Sequence, residues 1–515
     1  MNKIISNYTF KAFFAGVITF VAQLQVHFIP GWFCFIPLFI VLQNENAKTC
    51  FRAGLIFGLT IGLFSFYWMI EGAERFTGNS SVYSYLVFCI SAAGLSFYFG
   101  LVNYCFARIR LNSKVFRLQV FNGIIVSALY ILGEFMLSKL SDHLPWFAFH
   151  SGYSLMGNLY AIQPASLFGM DGLSFVCVLI NFLLAIIVSE KKWKKFIIPS
   201  LIWLGYMFAG WNIYANLHNE NNALKPVKIA ILNGNISPEI KWDNNNGNQL
   251  VKKLLQLNSK ATTLKPDIAL WNESAIPWTY RSDDDLVKQI IQTSRPANLT
   301  NILGINTDYK QDEVYNSAYL LLPDGTVAGR YDKRYLLSFI EQPFAGIIFP
   351  FLSSEGFKVK AGEGPHALPL QTAFGKAGVM ICNEATVPHA AASMAENGAV
   401  FLVNLSNDGW FSNTYITTLH LYNVRMRAVE TRKDIAVNSN LGYSGLVKAS
   451  GEMDDIAQTE DAYVRLVEIQ PNTAKTLFLQ AQYILLSLSV LVIGLAIIYK
   501  RWPVKRADIY NKKPL

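Results

Sequence analysis

Charge is scarce in this chain. Asp, Glu, Lys and Arg make up 15% of its 515 residues while 52% are hydrophobic, against about 25% charged in ordinary soluble domains. The deficit is local: residues 1–216 and 477–499 hold long uncharged runs, and 218–472 have an ordinary globular composition. A wholly soluble protein is excluded. Cysteine is scarcer still where it would matter. Cys34, Cys50, Cys89, Cys105 and Cys177 fall in the first part, and Cys382 stands alone within 218–472, so that segment has no internal disulfide framework. No glycine-rich phosphate loop, internal repeat or cluster with metal-ligand spacing occurs, which predicts no metal and no cofactor.

What the chain has instead is apolar length. A span needs about 20 mostly apolar residues, and candidates lie near 10–28, 31–43, 53–70, 82–107, 118–138, 170–189, 196–216 and 477–499. The second is short and reads as a re-entrant partner of the first; the first lacks a clean cleavage pattern and reads as an anchor rather than a signal peptide. Lys48 and Arg52, then Arg108 to Arg117, Lys191 to Lys195, and Lys500 to Arg506 follow alternate spans. The positive-inside rule then puts both ends in the cytoplasm and 218–472 on the far side of the membrane. The net charge of +9 is a topology signal and implies no nucleic-acid partner. The expected organisation is a transmembrane bundle of seven spans over 1–217, an extracytoplasmic domain over 218–472, and a last helix with a basic tail over 473–515.

Within 218–472, strands and helices alternate. VKIAILN, DIALWNE, NILGINT, the hairpin AYLLLPDGTVAGRYDK, GVMIC, AVFLVNLSN, DIAVNS and GLVKAS read as strands, with helices expected near 247–260, 284–293, 389–397 and 416–431. This predicts a layered α/β domain with mixed sheets. Three polar groups close apolar strands: Glu273, Lys333 and Cys382. An unperturbed thiol has a pKa near about 8.5, so a nucleophilic Cys382 needs a base, and a nearby cation could hold an oxyanion. Taken singly, Glu273 and Lys333 read equally as surface charges, and Cys382 as a small core residue.

The ordered set WNESAIP, YDKRYLLSFIE and ICNE resembles the nitrilase (carbon–nitrogen hydrolase) superfamily with its Glu–Lys–Cys triad. A domain of that kind between a multi-span bundle and a last helix resembles the apolipoprotein N-acyltransferase family. NISPEIKWD, SNDGWF, HLYNVRMRAVET and DHLPWFAFHSGYS are similar to further family segments. The resemblance implies an αββα sandwich beside about eight transmembrane helices. It also implies acyl transfer from a phospholipid, through a thioester on Cys382, to the α-amine of a diacylated apolipoprotein. Glu273 would be the base and Lys333 the oxyanion cation; Glu341 would orient Lys333, and Glu384 and Asn383 would shape the site. Trp242, Trp410, Phe344 and Phe349 are substrate or lid candidates. The protein is expected to act as a monomer.

Two departures from the family pattern adjoin the site. Asn383 stands where an aromatic residue, often Tyr, follows the nucleophile, and Ser338 to Phe344 replaces a Pro-Phe-Gly-Glu-Tyr-Val-Pro stretch. Glu134 lies within the fifth span, where a carboxyl implies an interior hydrogen bond or a headgroup contact. His389 and His420 raise the alternative of a Cys–His dyad. Competing readings are a membrane-tethered amidase acting on a small amide and a transporter or receptor whose soluble domain only binds.

Overall fold

The computed structural model describes residues 8–70, 81–140, 144, 149–217, 224–240, 243, 246–310, 313–338, 341–342, 359–364, 367–412 and 414–501. In hydrocarbon every backbone polar group must be satisfied within its own segment, so uncharged runs fold as helices. They are α1 (Tyr8–Thr19), α2 (Ile36–Asn44), α3 (Ala47–Ser65), α4 (Ser81–Ile109), α5 (Phe116–Leu140), α6 (Ala165–Glu190), α7 (Ile197–Leu217) and, at the far end of the chain, α13 (Ile484–Arg501). Among the described residues six helices are long and apolar enough to cross a membrane: 47–65, 84–109, 116–140, 165–190, 193–217 and 484–501. The protein is a multi-pass membrane protein.

The first two expected spans differ from the rest. They form shorter apolar helices, Tyr8–Leu24 and Phe28–Asn44, and the second breaks after a single turn at Phe28–Gly31. Pro37 explains the break: it starts α2 at a position where its missing N–H costs nothing. The α3–α4 contact has a different origin. Gly54, Gly58 and Gly62 recur every fourth residue on one face of α3, and a Cβ on Gly54 or Gly58 would lie 2.4 or 2.5 Å from the carbonyl oxygens of Phe99 or Leu95. Small residues at that spacing let two membrane helices approach backbone to backbone.

The remaining helices are α8 (Gly247–Thr263), α9 (Asp285–Ser294), α10 (Pro388–Glu396), α11 (Tyr415–Thr431) and α12 (Leu477–Ala481). The strands are β1 (Val227–Asn233), β2 (Ile268–Trp271), β3 (Ile276–Thr279), β4 (Thr300–Asp308), β5 (Val314–Leu321), β6 (Val327–Asp332), β7 (Val359–Lys360), β8 (Leu370–Thr372), β9 (Gly375–Ile381), β10 (Phe401–Asn407), β11 (Ile435–Asn440), β12 (Ser444–Val447), β13 (Met453–Ala457) and β14 (Tyr463–Ile469). One sheet runs β14-β1-β2-β4-β5-β6, with β3 on β4 and β7 on β5; the other runs β13-β12-β11-β10-β9-β8.

Alternation along the strands makes the layers. Ile229, Ile231, Ile268 and Leu270 face the core shared with Val379, Ile381, Val403 and Leu405 of the second sheet. Ala230, Leu232, Ala269 and Trp271 face Leu254, Leu257, Leu286 and Ile290 of α8 and α9. Helix α11 covers the second sheet with Val424 and Ala428, while Leu419, Met426 and Val429 on the same helix belong to the core of the membrane half. One helix is thus shared by both halves. Arg425 fastens it, donating to the carbonyls of Met156 at 2.7 Å and Gly451 at 2.6 Å.

Helix direction orders the two ends of the bundle. The carbonyl of Ser65, at the end of α3, accepts from Tyr415 Oη of α11 at 2.8 Å. At the end of α13, Lys500 donates to the carbonyls of Arg108 and Arg110. The basic helix ends therefore gather away from the α/β layers. Glu134 is fully engaged, accepting from Ser151 N at 2.8 Å and meeting His150 Nδ1 at 3.1 Å. Its carboxylate is an interior hydrogen-bonding group. Substituting Gly58→Val is expected to force α3 and α4 apart and cost about 1–3 kcal/mol, read as a lowered thermal midpoint in detergent; an unchanged midpoint would show that the contact is not tight.

Candidate active site

Strand β2 delivers Glu273 two residues beyond its last apolar side chain, Trp271. The turn that follows lies so close to β4 that a Cβ on Gly304 would sit 2.2 Å from the Asn272 carbonyl oxygen. Glycine is the residue that fits there. Asn316 Nδ2 on β5 donates to Glu273 Oε1 at 2.7 Å. Lys333 follows β6 and is 1% exposed; its backbone N–H donates to the Asn316 carbonyl at 2.8 Å. Its ammonium lies 3.5 Å from Glu273 Oε1 and 2.9 Å from Glu341 Oε1. Glu341 Oε2 in turn accepts from Leu337 N at 2.8 Å.

Strand β9 ends at Ile381, and Cys382 opens a short 3-10 turn with φ at +53°. A non-glycine residue in this left-handed region costs roughly 1–2 kcal/mol. The turn that imposes it is riveted by Glu384, which is wholly buried. The Glu384 carboxylate accepts from Ile381 N at 2.7 Å, Arg334 N at 2.7 Å, Tyr335 N at 3.2 Å and Tyr331 Oη at 2.8 Å. Asn383 Nδ2 adds a bond to the Tyr335 carbonyl at 2.8 Å. Both residues join the cysteine turn to the loop that carries Lys333. Glu273, Lys333, Asp408 and Ser406 all lie near enough to the Cys382 thiol to act on its charge.

The electrostatics follow from burial. Desolvation pushes the Cys382 thiol far above its ordinary range, Glu273 and Asp408 add to this, and Lys333 and Ser406 only partly oppose it. The resting group is a thiol. Desolvation also raises the Glu273 carboxyl, with Lys333 and the Asn316 bond pulling back, which makes it a stronger base than an exposed glutamate. Burial pulls the Lys333 ammonium down, but Glu341 and Glu273 more than offset this and the net shift is upward. Lys333 therefore stays charged. One proton acceptor, one fixed cation and one thiol share an enclosed space, and such a set can activate sulfur and hold an oxyanion.

Of the residues expected from sequence, Glu273, Lys333, Cys382, Glu341, Glu384 and Asn383 come together. Trp410 is half-buried, in the short turn Asp408–Trp410 after β10. Trp242, Phe344 and Phe349 lie outside the described residues. His389 is exposed at the start of α10. His420 is buried, and its Nε2 meets the carbonyl oxygen of Cys382 at 2.9 Å; the bond is to backbone, where a Cys–His dyad would have it on sulfur. Sequence reasoning missed Asn316, which sits in an ordinary strand pattern, and gave no role to Ser406 and Asp408, although the segment SNDGWF that carries them is similar to a family segment.

Removing the Glu384 rivet as Glu384→Ala strands several buried donors, each worth about 1–3 kcal/mol. A loss of about 3 kcal/mol or more in unfolding free energy is expected, measured by denaturant titration in detergent micelles; a near-neutral effect would contradict the rivet.

A family model described as carbon-nitrogen hydrolase matches residues 228–477, and one described as the apolipoprotein N-acyltransferase N-terminal domain matches residues 15–183. The chain is similar to the apolipoprotein N-acyltransferase of Geobacter metallireducens, 27% identical over 441 residues that cover 82% of this chain and 81% of the relative. That of Bdellovibrio bacteriovorus is 28% identical over 460 residues, covering 82% and 81%. That of Rickettsia prowazekii is 25% identical over 503 residues, covering 93% and 95%. A membrane half and a buried Glu–Lys–Cys site, each matched by its own model in this order along the chain, make it a member of the apolipoprotein N-acyltransferase family.

Proposed function

We propose that this protein is an apolipoprotein N-acyltransferase that moves an acyl chain from a phospholipid to the N-terminal amine of a diacylated lipoprotein. The observation that carries this reading is the seat of the site on the membrane helices. Phe411, next to the turn that holds Asp408 and Trp410, has its ring centroid 6.1 Å from that of Trp68, and Tyr415 bonds the end of α3. A thiol held at this level is within reach of a lipid ester. A membrane-tethered amidase would need only an anchor, and the match of residues 15–183 to the apolipoprotein N-acyltransferase N-terminal domain favours transfer over that reading.

In the first half-reaction Cys382 Sγ attacks the ester carbonyl carbon of the phospholipid as its proton passes to Glu273. The carbonyl oxygen becomes an oxyanion beside Lys333. Collapse breaks the C–O bond, and Glu273 returns the proton to the departing alkoxide, so that lysophospholipid leaves and a thioester remains. In the second half-reaction the α-amine of the diacylglyceryl cysteine attacks the thioester carbonyl, and Glu273 takes its surplus proton. Lys333 again faces the oxyanion. The C–S bond breaks, the thiol regains its proton from Glu273, and the amide product departs. Ping-pong kinetics follow. Glu341 holds the ammonium in place. The basic helix ends support a cytoplasmic placement for that face of the bundle and a periplasmic one for the site in a bacterial inner membrane. The chain is read as working alone, as a monomer.

Incubation with phospholipid and a diacylated lipopeptide is expected to yield triacylated peptide and lysophospholipid. Without acceptor, intact mass should show one acyl adduct, absent from Cys382→Ala. Glu273→Gln should slow adduct formation by about 100-fold or more. Ammonia release from soluble amides with no acyl transfer would overturn the reading.

The pH dependence has a definite sign. Activity needs Glu273 ionised, and its folded pKa is raised, so the rate should fall with decreasing pH through a midpoint above the ordinary glutamate value of about 4.3. Asn316 Nδ2 favours the ionised form. Asn316→Leu should therefore move that acidic midpoint further upward in a pH–rate profile of adduct formation, and a downward move would contradict the assignment of the base.

A further inference from the structure

Cys382 sits in a backbone conformation that L-residues avoid, and its own side chain does nothing to hold it there. Its carbonyl oxygen is met at 2.9 Å by Nε2 of His420. A carbonyl only accepts, so Nε2 carries a hydrogen. The other ring nitrogen, Nδ1, lies 2.9 Å from Asp408 Oδ1, which also accepts from Ser406 Oγ at 2.9 Å. The Asp408 oxygen facing Nδ1 favours a hydrogen on that nitrogen too, and with both ring nitrogens donating the ring would be an imidazolium. All three side chains are buried. They come from two places: Ser406 and Asp408 from the end of β10, His420 from α11, the helix that both halves of the protein share.

We propose that His420, set by Asp408, is a positioning residue for the acyl-transfer reaction: by donating to the Cys382 carbonyl it holds the nucleophile's turn so that the sulfur stays between Glu273 and Lys333. The inference rests on the reading of Cys382 as nucleophile. His420 has no part in proton transfer here, because its hydrogens are committed to the carbonyl and to Asp408. Burial lowers the affinity of the ring for its proton, but Asp408, the Cys382 carbonyl and Glu273 outweigh burial and the net shift is upward. The charged and titratable groups around the ring are Asp408, Cys382 and Glu273, with Tyr443 lining the same space. A charge-assisted bond from an imidazolium is stronger than one from a neutral donor, which suits a turn held against its backbone preference. The same bond links the nucleophile to α11, so a displacement of that helix on the membrane half would reach the sulfur through one contact.

The test separates placement from folding. Glutamine can present an amide N–H close to where imidazole presents Nε2, whereas leucine fills similar volume with no donor. Both His420→Gln and His420→Leu lose the Asp408 partner and should lower the thermal midpoint alike. Single-turnover formation of the acyl adduct, followed by intact mass on folded protein, should separate them. His420→Leu is expected to be slower than wild type by about 10-fold or more, equal to about 1.4 kcal/mol in the barrier, and His420→Gln to recover most of that loss. If His420→Leu does not fold, Asp408→Asn replaces it: an amide donor to Nδ1 leaves Nε2–H on the carbonyl but removes the charge assistance, so the rate should fall, by less than about 10-fold. Equal rates for His420→Leu and wild type, equal rates for the two His420 variants, or an Asp408→Asn protein that is unchanged or slowed by about 10-fold or more would overturn the proposal. Iodoacetamide labelling of the Cys382 peptide is run alongside, with the same ordering expected and any other ordering contradicting it. Should wild type form no acyl adduct, the acyltransferase reading fails while labelling still decides the clamp.

Discussion

The constraint on which the site depends is a buried ammonium. Lys333 is almost without solvent, and removing such an ion from water costs several kcal/mol even after relaxation. Two carboxylates, Glu273 and Glu341, offset that cost. The trio carries one excess negative charge, and this surplus lets Glu273 accept a proton while Lys333 keeps its own. Hydrophobic replacements of such buried charged sets are often as stable as the charges or more so. That the charges are kept points to chemistry as their reason, and the raised thiol beside them is the group that chemistry serves.

Every surrounding feature holds those charges in register. Glu384 ties the turn of Cys382 to the loop of Lys333, and Gly304 lets the Glu273 turn lie against β4. Cys382 and Asp408 come off the carboxyl ends of the adjacent parallel strands β9 and β10, and Glu273 off that of β2, which runs parallel between β1 and β4. Crevices beyond such strand ends are where open α/β sheets bind their ligands. Helix α11 then connects this crevice to the membrane helices. The fold delivers a water-poor site beside the membrane helices, and desolvation there raises the thiol and strengthens the base.

Much of this was legible in the chain. The uncharged runs foretold the helices, and the period-two apolar strands foretold both layers of the sandwich. VKIAILN is strand β1 residue for residue. The Glu–Lys–Cys order foretold the residues that meet. The second span was read as short, but its break after one turn was less legible, because Pro30 and Pro37 lie in a run that carries no charge to mark the interruption. Strands β13 and β14 were hidden by charge: MDDIA and YVRLVEI carry Asp454, Asp455, Arg465 and Glu468. Their identity as strands is set by pairing with β12 and β1. The left-handed Cys382 and its bond to His420 were illegible, since no local pattern says that a helix from elsewhere will reach a particular carbonyl. A histidine near a cysteine in space invites a dyad from sequence, and only geometry separates sulfur from backbone.

The central claim is that the buried ammonium of Lys333 is retained for the reaction and not for stability. A double-variant cycle tests it directly. Lys333→Met and Glu341→Gln are made singly and together, and each protein is measured for unfolding free energy and for the rate of acyl adduct formation on Cys382. Each single change leaves a buried charge poorly matched, so the account predicts that the stability losses are far from additive, with the double variant well above their sum. It also predicts that adduct formation stays lost in the double variant. Additive stability losses, or an acylation rate restored once both charges are gone, would contradict it.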